Sequence, residues 1–259
     1  MLRIQSVWFF TPLHLLLLLT AQVHRVLADY PDSPDSTPPA QWSSMSETFT
    51  RHCSPFGISV FAQGWPEDKF IHACNILAQI LDNDQDGCAD DTSVVEKIRY
   101  RQVGMAMFET ESGPDQYAQF IPRSFAWQGL WADETDLSCS GADETGECRD
   151  AAIEEILHVV SGSGIGEAYP EKFSDCGEKD LGNLSDMMKQ MDIARGGHFE
   201  SVPTTYPSDA IYHYTDETCE YRCMGTEFFY WALTSLTKGQ SKLRISIITN
   251  TTPPHSYCH

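Results

Sequence analysis

Apolar side chains recur at helical spacing in several stretches of the chain, and this pattern predicts a mainly helical protein. Residues 66–81 carry apolar side chains three and four positions apart, and a proline followed by two acids is typical of a first helical turn. The same spacing predicts helices at residues 92–107, 184–195 and 224–237. An acid-rich stretch, residues 82–91, separates the first two of these helices.

Another helix is expected over residues 150–160, with Asp150 as its N-cap and the glycine-rich segment 161–164 at its end. Its apolar stripe consists of Ile153, Ile156, Leu157 and Val160. The opposite side carries two carboxylates and an imidazole, which are Glu154, Glu155 and His158. A carboxylate and an imidazole one turn apart allow a helix to offer two ligands to one divalent ion.

The rest of the chain shows few convincing strand patterns, and residues 113–146 are expected to be irregular. We therefore expect one disulfide-containing domain that is mainly α with a small β component, with an α+β arrangement as the alternative. The expected segments are a signal peptide at 1–28, a flexible Pro/Ser-rich leader at 29–50, a globular domain at 51–245 and a C-terminal tail at 246–259.

The N-terminal residues have the pattern of a secretory signal peptide. Arg3 precedes an apolar run, and small residues that end at Ala28 fit a cleavage site. Cleavage predicts a secreted protein with no membrane span, because no later segment approaches a spanning length. The leader contains Arg3 and Arg25 and no acid, so its removal changes the net charge from −20 to −22. Such an acidic protein is expected to bind cations and no nucleic acid.

All nine cysteines follow the predicted cleavage site, and an oxidising compartment favours disulfides between them. Cys139 and Cys148 flank a short Gly- and Asp-rich loop and are the best local pair. Cys219 and Cys223 are expected to form disulfides with two different partners, and a metal pair is the alternative. The odd count leaves one cysteine free or intermolecular. Two glycosylation sequons begin at Asn183 and Asn250.

The acid-rich loop after the first predicted helix has the spacing of a calcium site. Loop positions one, three, five, seven and nine are Asp82, Asp84, Asp86, Cys88 and Asp90. Gly87 at position six allows the sharp turn, and the carbonyl of the seventh residue joins the carboxylates around a hard cation such as Ca²⁺. A solvated Asp-rich turn is the alternative.

This loop resembles the calcium loops of EF-hands, thrombospondin type 3 repeats and dockerins. The resemblance implies a weak structural calcium site. Position twelve, where an EF-hand has a bidentate Glu, is Ser93. The final ligand is therefore expected from Asp91, from another element or from water.

The segment Glu154-Glu155-Ile156-Leu157-His158 resembles the His-Glu-x-x-His motif of zincin metallopeptidases, with Glu154 in place of the first histidine. The resemblance implies that Glu154 and His158 bind zinc or another divalent transition metal, and that Glu155 is the general base. It also implies a zincin-like fold. The pair Glu155-x-x-His158 resembles carboxylate-bridged di-iron bundles too, although the sequence has no second copy. An exposed polar helix face is the remaining alternative.

Two further residues are candidates for completing this site. Glu227 lies in a helix that is apolar around nearly its whole circumference, so its carboxylate is expected to be buried. It would bind the metal or pair with Arg195 or Arg222. His213 is a candidate catalytic residue that ligates the metal or stabilises an oxyanion, with ordinary packing as the alternative.

These patterns lead to competing expectations for function. The first is a secreted acidic calcium-binding protein with a second divalent-metal site, which acts as a zinc-dependent hydrolase on a peptide substrate. The second is a non-enzymatic calcium-binding glycoprotein associated with extracellular matrix or biomineral. A degenerate zincin fold retained as a binding module is the third.

Overall fold

A computed structural model describes residues 36–138, 150–176 and 183–237. Within these ranges the protein is mainly helical with a small four-stranded sheet, which confirms the expected fold class. Several predictions lie outside the described residues, namely the signal peptide, the C-terminal tail, the Cys139–Cys148 pair and the sequon at Asn250.

The secondary structure elements alternate between helices and strands in the first half of the chain. The helices are α1 (Glu67–Leu81), α2 (Thr92–Arg101), α3 (Gly113–Tyr117), α4 (Ala152–His158), α5 (Gly166–Ala168), α6 (Pro170–Phe173), α7 (Asp186–Arg195) and α8 (Tyr221–Thr237). The strands are β1 (Arg51–Cys53), β2 (Val60–Gln63), β3 (Val103–Phe108) and β4 (Ala126–Trp131). Short 3₁₀ helices cover Ala40–Met45, Pro55–Gly57 and Ala118–Phe120, and a π-helix covers Val159–Ile165.

The sheet has the order β1-β2-β3-β4. Strand β1 is antiparallel to β2, whereas β2, β3 and β4 are parallel, with Met105 opposite Val60 on one side and Gln128 on the other. The crossover from β2 to β3 contains α1, the acid-rich loop and α2. The calcium-like loop therefore lies in the connection between two parallel strands.

The prediction of a helix over residues 92–107 is wrong after Arg101. The helix ends where Gln102 adopts a left-handed conformation with φ 54°. The following strand β3 is almost entirely buried because sheet neighbours and packed layers surround it. A strand buried on both faces is a continuous apolar run without alternation, so periodicity does not distinguish it from a helix. Strand β4 also falls in the region expected to be irregular.

Apolar layers cover both faces of the sheet. Helices α1, α2 and α4 pack on one face, in a core that includes Leu77, Ile98 and Ile156. The other face is covered by the segment before β1, through Trp42 and other buried aromatic side chains. Order in the described chain therefore begins earlier than Arg51, because burial of these large side chains stabilises the preceding 3₁₀ helix.

A smaller methionine-rich cluster packs α7 against α8 and the loop that joins them. Disulfides link Cys53 to Cys74 and Cys219 to Cys223. The expectation that the last two cysteines pair with different partners is wrong, because one turn of backbone brings them together. Among the described cysteines, Cys176 has a free thiol. No helix in the described ranges has the length and hydropathy of a membrane span.

Candidate metal centre

Helix α4 is fixed at its start by a buried hydrogen-bonding residue. Asp150 accepts from the Ala152 amide at 3.0 Å, and its other oxygen lies 2.7 Å from His72 Nε2 on α1. Asp150 lies one residue before the N-cap, Ala151, rather than at the N-cap itself. The Asp150 contacts and the buried Ile156 side chain determine which face of α4 points away from the sheet.

The helix does not end at the predicted glycine-rich segment. It continues as the π-helix and then as α5. A side chain at Gly164 would clash with Val94 on α2, so glycine here permits close packing of the two helices. The π-helix begins directly after His158, and such segments occur frequently at functional sites.

Helix α8 brings a third residue to this face of α4. One ligand atom each from Glu154, His158 and Glu227 lies within 4.8 Å of the others. His158 Nε2 is 3.6 Å from Glu227 Oε1. Glu154 and Glu227 are only 9% and 8% exposed. The structure thus brings together the three residues that the sequence analysis predicts as metal ligands, from two helices that are far apart in the chain.

The cluster contains buried polar atoms that lack partners. His158 Nε2 and Glu227 Oε2 are both buried and have no hydrogen-bond partner. An unsatisfied buried polar atom costs about 1–3 kcal/mol. The cluster offers one imidazole nitrogen and carboxylate oxygens at low exposure, and these are donors that divalent transition metals bind. The donor set of the described residues therefore fits a divalent ion.

Neither predicted arginine neutralises Glu227 within the described residues. Arg222 pairs with Asp175, with Nε 3.2 Å from Oδ1. Arg195 donates from Nη1 to the Phe199 carbonyl at 3.1 Å. Among the described residues Glu227 makes its ionic contact with His158, so the alternative of a buried arginine–glutamate pair is not realised.

Glu155 contacts the other side of the imidazole. Its Oε2 lies 3.4 Å from His158 Nδ1 and accepts a hydrogen bond from Gln128 Nε2 at 2.6 Å. A carboxylate at Nδ1 orients the ring and favours the tautomer whose Nε2 is free to bind a metal. In this arrangement Glu155 positions His158, which differs from the general-base role that the zincin resemblance implies.

Burial and charge shift both titrating ligands. Burial raises the pKa of Glu227 to about 7, with the charges of Glu154 and Glu155 adding to the rise and with His158 and the Tyr214 hydrogen bond opposing it. Burial alone lowers the pKa of His158, but the hydrogen bond and charge of Glu155, with the charges of Glu227 and Glu154, outweigh it and raise that pKa above 6.5. A cation would compete with protons for both side chains.

No protein-family model, curated protein or solved structure matches this chain. The resemblances to zincins, di-iron bundles and calcium loops therefore stay predictions that rest on short motifs and on local geometry.

Tyrosines of the loop between α7 and α8 face the cluster, and His213 does not. The Tyr214 side chain hydrogen-bonds to Glu227, and the charge of Glu227 also acts on Tyr212. His213 is exposed and stacks on Tyr206, with ring centroids 4.7 Å apart. Its contact with Tyr206 and its exposure place the histidine outside the cluster of buried ligands. We therefore leave His213 out of the site and add Tyr214.

The calcium-like loop brings its first three acids together. One oxygen each of Asp82, Asp84 and Asp86 lies within 4.8 Å of the others. Asp82 has no exposed surface, and its carboxylate accepts from the amides of Asp86 at 3.1 Å and Gly87 at 3.0 Å. These contacts hold the loop in a curved form in which the carboxylates converge.

Other predicted loop ligands have different contacts. Asp90 Oδ2 accepts from the backbone and side-chain amides of Asn83 at 2.9 and 2.8 Å. The Cys88 thiol is disulfide-bonded. Asp91 caps α2 through the Ser93 amide and accepts from the Tyr169 hydroxyl at 2.6 Å. Asp91 is therefore engaged in packing and is a poor candidate for the missing twelfth ligand.

Proposed function

We propose that the protein is a secreted, calcium-stabilised hydrolase that uses a divalent transition metal bound by Glu154, His158 and Glu227. The observation that carries the proposal is the convergence of these three side chains from α4 and α8, with unpartnered buried atoms on His158 and Glu227. An imidazole with two carboxylates is a ligand set that suits zinc, iron or manganese. Three protein ligands leave coordination positions for water and substrate.

Each residue has a distinct part in the proposed chemistry. The metal would lower the pKa of a bound water and polarise a carbonyl, which supports peptide-bond hydrolysis. Glu155 and Gln128 hold the His158 ring by its Nδ1 side. Tyr214 holds the Glu227 carboxylate through a hydrogen bond. Glu155 is thus a positioning residue in this proposal, and its effect passes through the imidazole.

Calcium has a structural part in the proposal. The loop of Asp82, Asp84 and Asp86 connects α1 to α2, and α2 packs on the π-helix that follows His158. A bound Ca²⁺ would offset the repulsion between these acids and stabilise the packing on which α4 rests. Secretion into a calcium-rich compartment agrees with the two described disulfides.

The proposal is tested by measuring the metal content of the wild-type protein and of a matched pair of variants. The protein, produced in an oxidising compartment, is expected to carry about one divalent transition-metal ion per chain by mass spectrometry. The variant Glu227→Gln keeps the side-chain volume but is expected to lose the ion. Glu171→Gln removes an exposed carboxylate and is expected to retain it.

Activity is measured on the same three proteins with a library of fluorogenic peptides. Hydrolysis is expected in wild type and Glu171→Gln, to stop after treatment with a zinc-selective chelator, and to return with added metal. Absence of metal from wild type, together with no binding of Zn²⁺ or Mn²⁺ at about 100 μM, would overturn the metal proposal. Metal binding without peptide hydrolysis would overturn the peptidase part alone.

A non-enzymatic role in matrix or mineral is the second candidate, and the charge favours it. The sequence has 37 acids against 17 basic residues. This candidate expects adsorption to calcium mineral that weakens with salt, and no tight transition metal. Mineral adsorption that is unchanged by salt would contradict it.

A further inference from the structure

Arg195, at the end of α7, is a buried cation with unused donors. Its side chain has no exposed surface. Nη1 donates to the Phe199 carbonyl at 3.1 Å, and the guanidinium carbon lies 5.2 Å and 5.8 Å from the ring centroids of Phe199 and Tyr206. Nε and Nη2 are buried and have no hydrogen-bond partner. The guanidinium therefore packs against two aromatic rings and uses Nη1 as a hydrogen-bond donor, whereas Nε and Nη2 donate to no acceptor.

The two unused nitrogens lie on the same edge of the guanidinium. Nε–H and the nearer N–H of Nη2 point in parallel from this edge, with the spacing of the two oxygens of a carboxylate. This fork is the arrangement with which arginine binds carboxylates bidentately. The missing partner of Arg195 is therefore a planar oxyanion rather than a single acceptor.

No acid of the described chain supplies that countercharge. The nearby Asp192 uses its Oδ2, which lies 2.9 Å from both His198 Nδ1 and the Tyr221 hydroxyl, while its buried Oδ1 has no hydrogen-bond partner and does not reach Arg195. Arg195 forms no ion pair within the described residues, although the sequence contains 37 acids. A buried charge that lacks a partner is costly, so a ligand that supplies one would bind favourably.

Tyr212 connects this edge to the metal cluster. Its hydroxyl is buried and has no hydrogen-bond partner. The Tyr212 amide donates to the carbonyl of Ala194, the residue before Arg195, at 3.1 Å, so Tyr212 lies beside the end of α7. Its ring packs against Phe228 on α8, the residue after Glu227. An anion bound at Arg195 would thus lie near Tyr212, which also contacts the helix that carries Glu227.

We propose that the free edge of Arg195 and the hydroxyl of Tyr212 bind the terminal carboxylate of the substrate, which makes the enzyme a carboxypeptidase. This inference rests on the proposed hydrolase function, because the bound carboxylate is taken to belong to the substrate of that hydrolase. A carboxylate carries one negative charge and matches the single arginine, whereas a phosphate dianion would leave excess charge among apolar rings. The rings of Phe199, Tyr206 and Tyr212 favour an apolar or aromatic side chain next to that carboxylate.

Access to Arg195 requires movement of the loop between α7 and α8. The loop carries Phe199, Tyr206 and Tyr212, and the described part of it contains no helix or strand. Binding of a carboxylate under these side chains would satisfy the unpartnered atoms of Arg195 and Tyr212 together. The loop would then be more ordered with ligand than without it.

A matched pair of small ligands tests the anion site without the need for catalysis. N-acetyl-phenylalanine and its amide differ in the carboxylate alone. Calorimetry on the full protein is expected to show the acid binding at least about tenfold more tightly than the amide, because the amide loses the charged fork. The titration is done on zinc-free and on zinc-loaded protein, and the acid is expected to bind to both.

Two variants locate the binding. Arg195→Lys keeps the charge but removes the bidentate edge, and it should weaken acid binding by about tenfold or more. Tyr212→Phe removes one hydroxyl and should weaken it by roughly two- to tenfold. Tyr100→Phe changes an exposed tyrosine and should leave it unaltered. If Arg195→Lys does not fold, Tyr212→Phe and the acid–amide comparison still decide the question.

The outcomes separate this inference from the proposed function. Acid binding that survives both variants, or that equals amide binding, would overturn the carboxylate site. Tighter calorimetric binding of inorganic phosphate than of N-acetyl-phenylalanine would overturn the choice of a monoanion as the ligand. If the acid binds as expected but no transition metal does, the hydrolase proposal fails while the anion site stands. If the metal binds and peptides with free and amidated C-termini are cleaved equally, the carboxypeptidase assignment fails alone.

Discussion

Replacement of Glu227 by glutamine should stabilise the metal-free protein, because a ligand carboxylate is held in an environment that disfavours its charge. Burial raises the pKa of Glu227 from 4.5 to about 7. Each pKa unit corresponds to about 1.4 kcal/mol, so at pH 8 the ionised side chain lowers the free energy of unfolding by about 3 kcal/mol relative to a neutral group. Glutamine has the shape of the neutral acid.

The sign of the effect depends on pH in a defined way. Below pH 4.5 Glu227 is protonated in both the folded and unfolded chains, and the two proteins should be equally stable. Between pH 4.5 and 7 the folded protein binds more protons, so wild-type stability should fall relative to Glu227→Gln. Above pH 7 the difference should be constant, at a melting-temperature gain of about 6–12 °C for a chain of this size.

The assay is urea unfolding followed by tryptophan fluorescence, with disulfides intact, calcium present and transition metal removed. Glu171→Gln, which alters an exposed acid, is the control and should match wild type at every pH. Saturating Zn²⁺ should reverse the order, because metal at about 1,000 times its Kd adds about 4.1 kcal/mol to wild type alone. A Glu227→Gln variant that is less stable than wild type at pH 8 without metal would show that the Glu227 carboxylate stabilises the fold instead, which contradicts the raised pKa.

Three further expectations follow from the same geometry. Zinc affinity, measured by dye competition, should fall by about tenfold from pH 8 to pH 6, because zinc must displace a proton from Glu227. The raised pKa of His158 should make the fall larger, and an affinity that does not change with pH would contradict this expectation. Glu155→Gln should weaken zinc binding by about 10–100-fold with little change in melting temperature without metal. Asp82→Asn should abolish the rise in melting temperature produced by calcium, whereas the exposed Asp115→Asn should preserve it.

The bounds of α1 and the convergence of Glu154, His158 and Glu227 could be predicted from the sequence because both depend on local patterns. Helical periodicity is visible within one turn, and α1 begins and ends within one residue of its predicted bounds. The burial of Glu227 followed from the apolar residues around it on α8. A buried carboxylate needs a positive partner, and a helix face with glutamate and histidine can share a cation with it, so we expected Glu227 to lie close to His158.

The sheet and the positioning residues could not be predicted from such patterns. Strand β3 is buried on both faces and lacks alternation. Gln128, on β4, reaches Glu155 only because the parallel sheet and α4 are packed together. The role of Glu155 depends on which imidazole nitrogen it faces, and that geometry is set by rotamers on α4 that the contact with Gln128 helps to fix.

Which side chains of the loop between α7 and α8 pack inward could not be predicted from residue type. Tyr212 and Tyr214 pack against the methionine-rich cluster, whereas His213 is exposed and stacks on Tyr206. The unused edge of Arg195 has no signal in the sequence, because it depends on where the acids of the described chain lie in three dimensions.

X-ray absorption of protein loaded with one equivalent of Zn²⁺ would show whether α4 and α8 hold one transition-metal ion between them. We expect oxygen and nitrogen ligands at about 2.0–2.1 Å with the outer-shell scattering of a single imidazole, and we expect this spectrum to be lost in Glu227→Gln. Sulfur scattering at about 2.3 Å, or a spectrum that Glu227→Gln leaves unchanged, would contradict it.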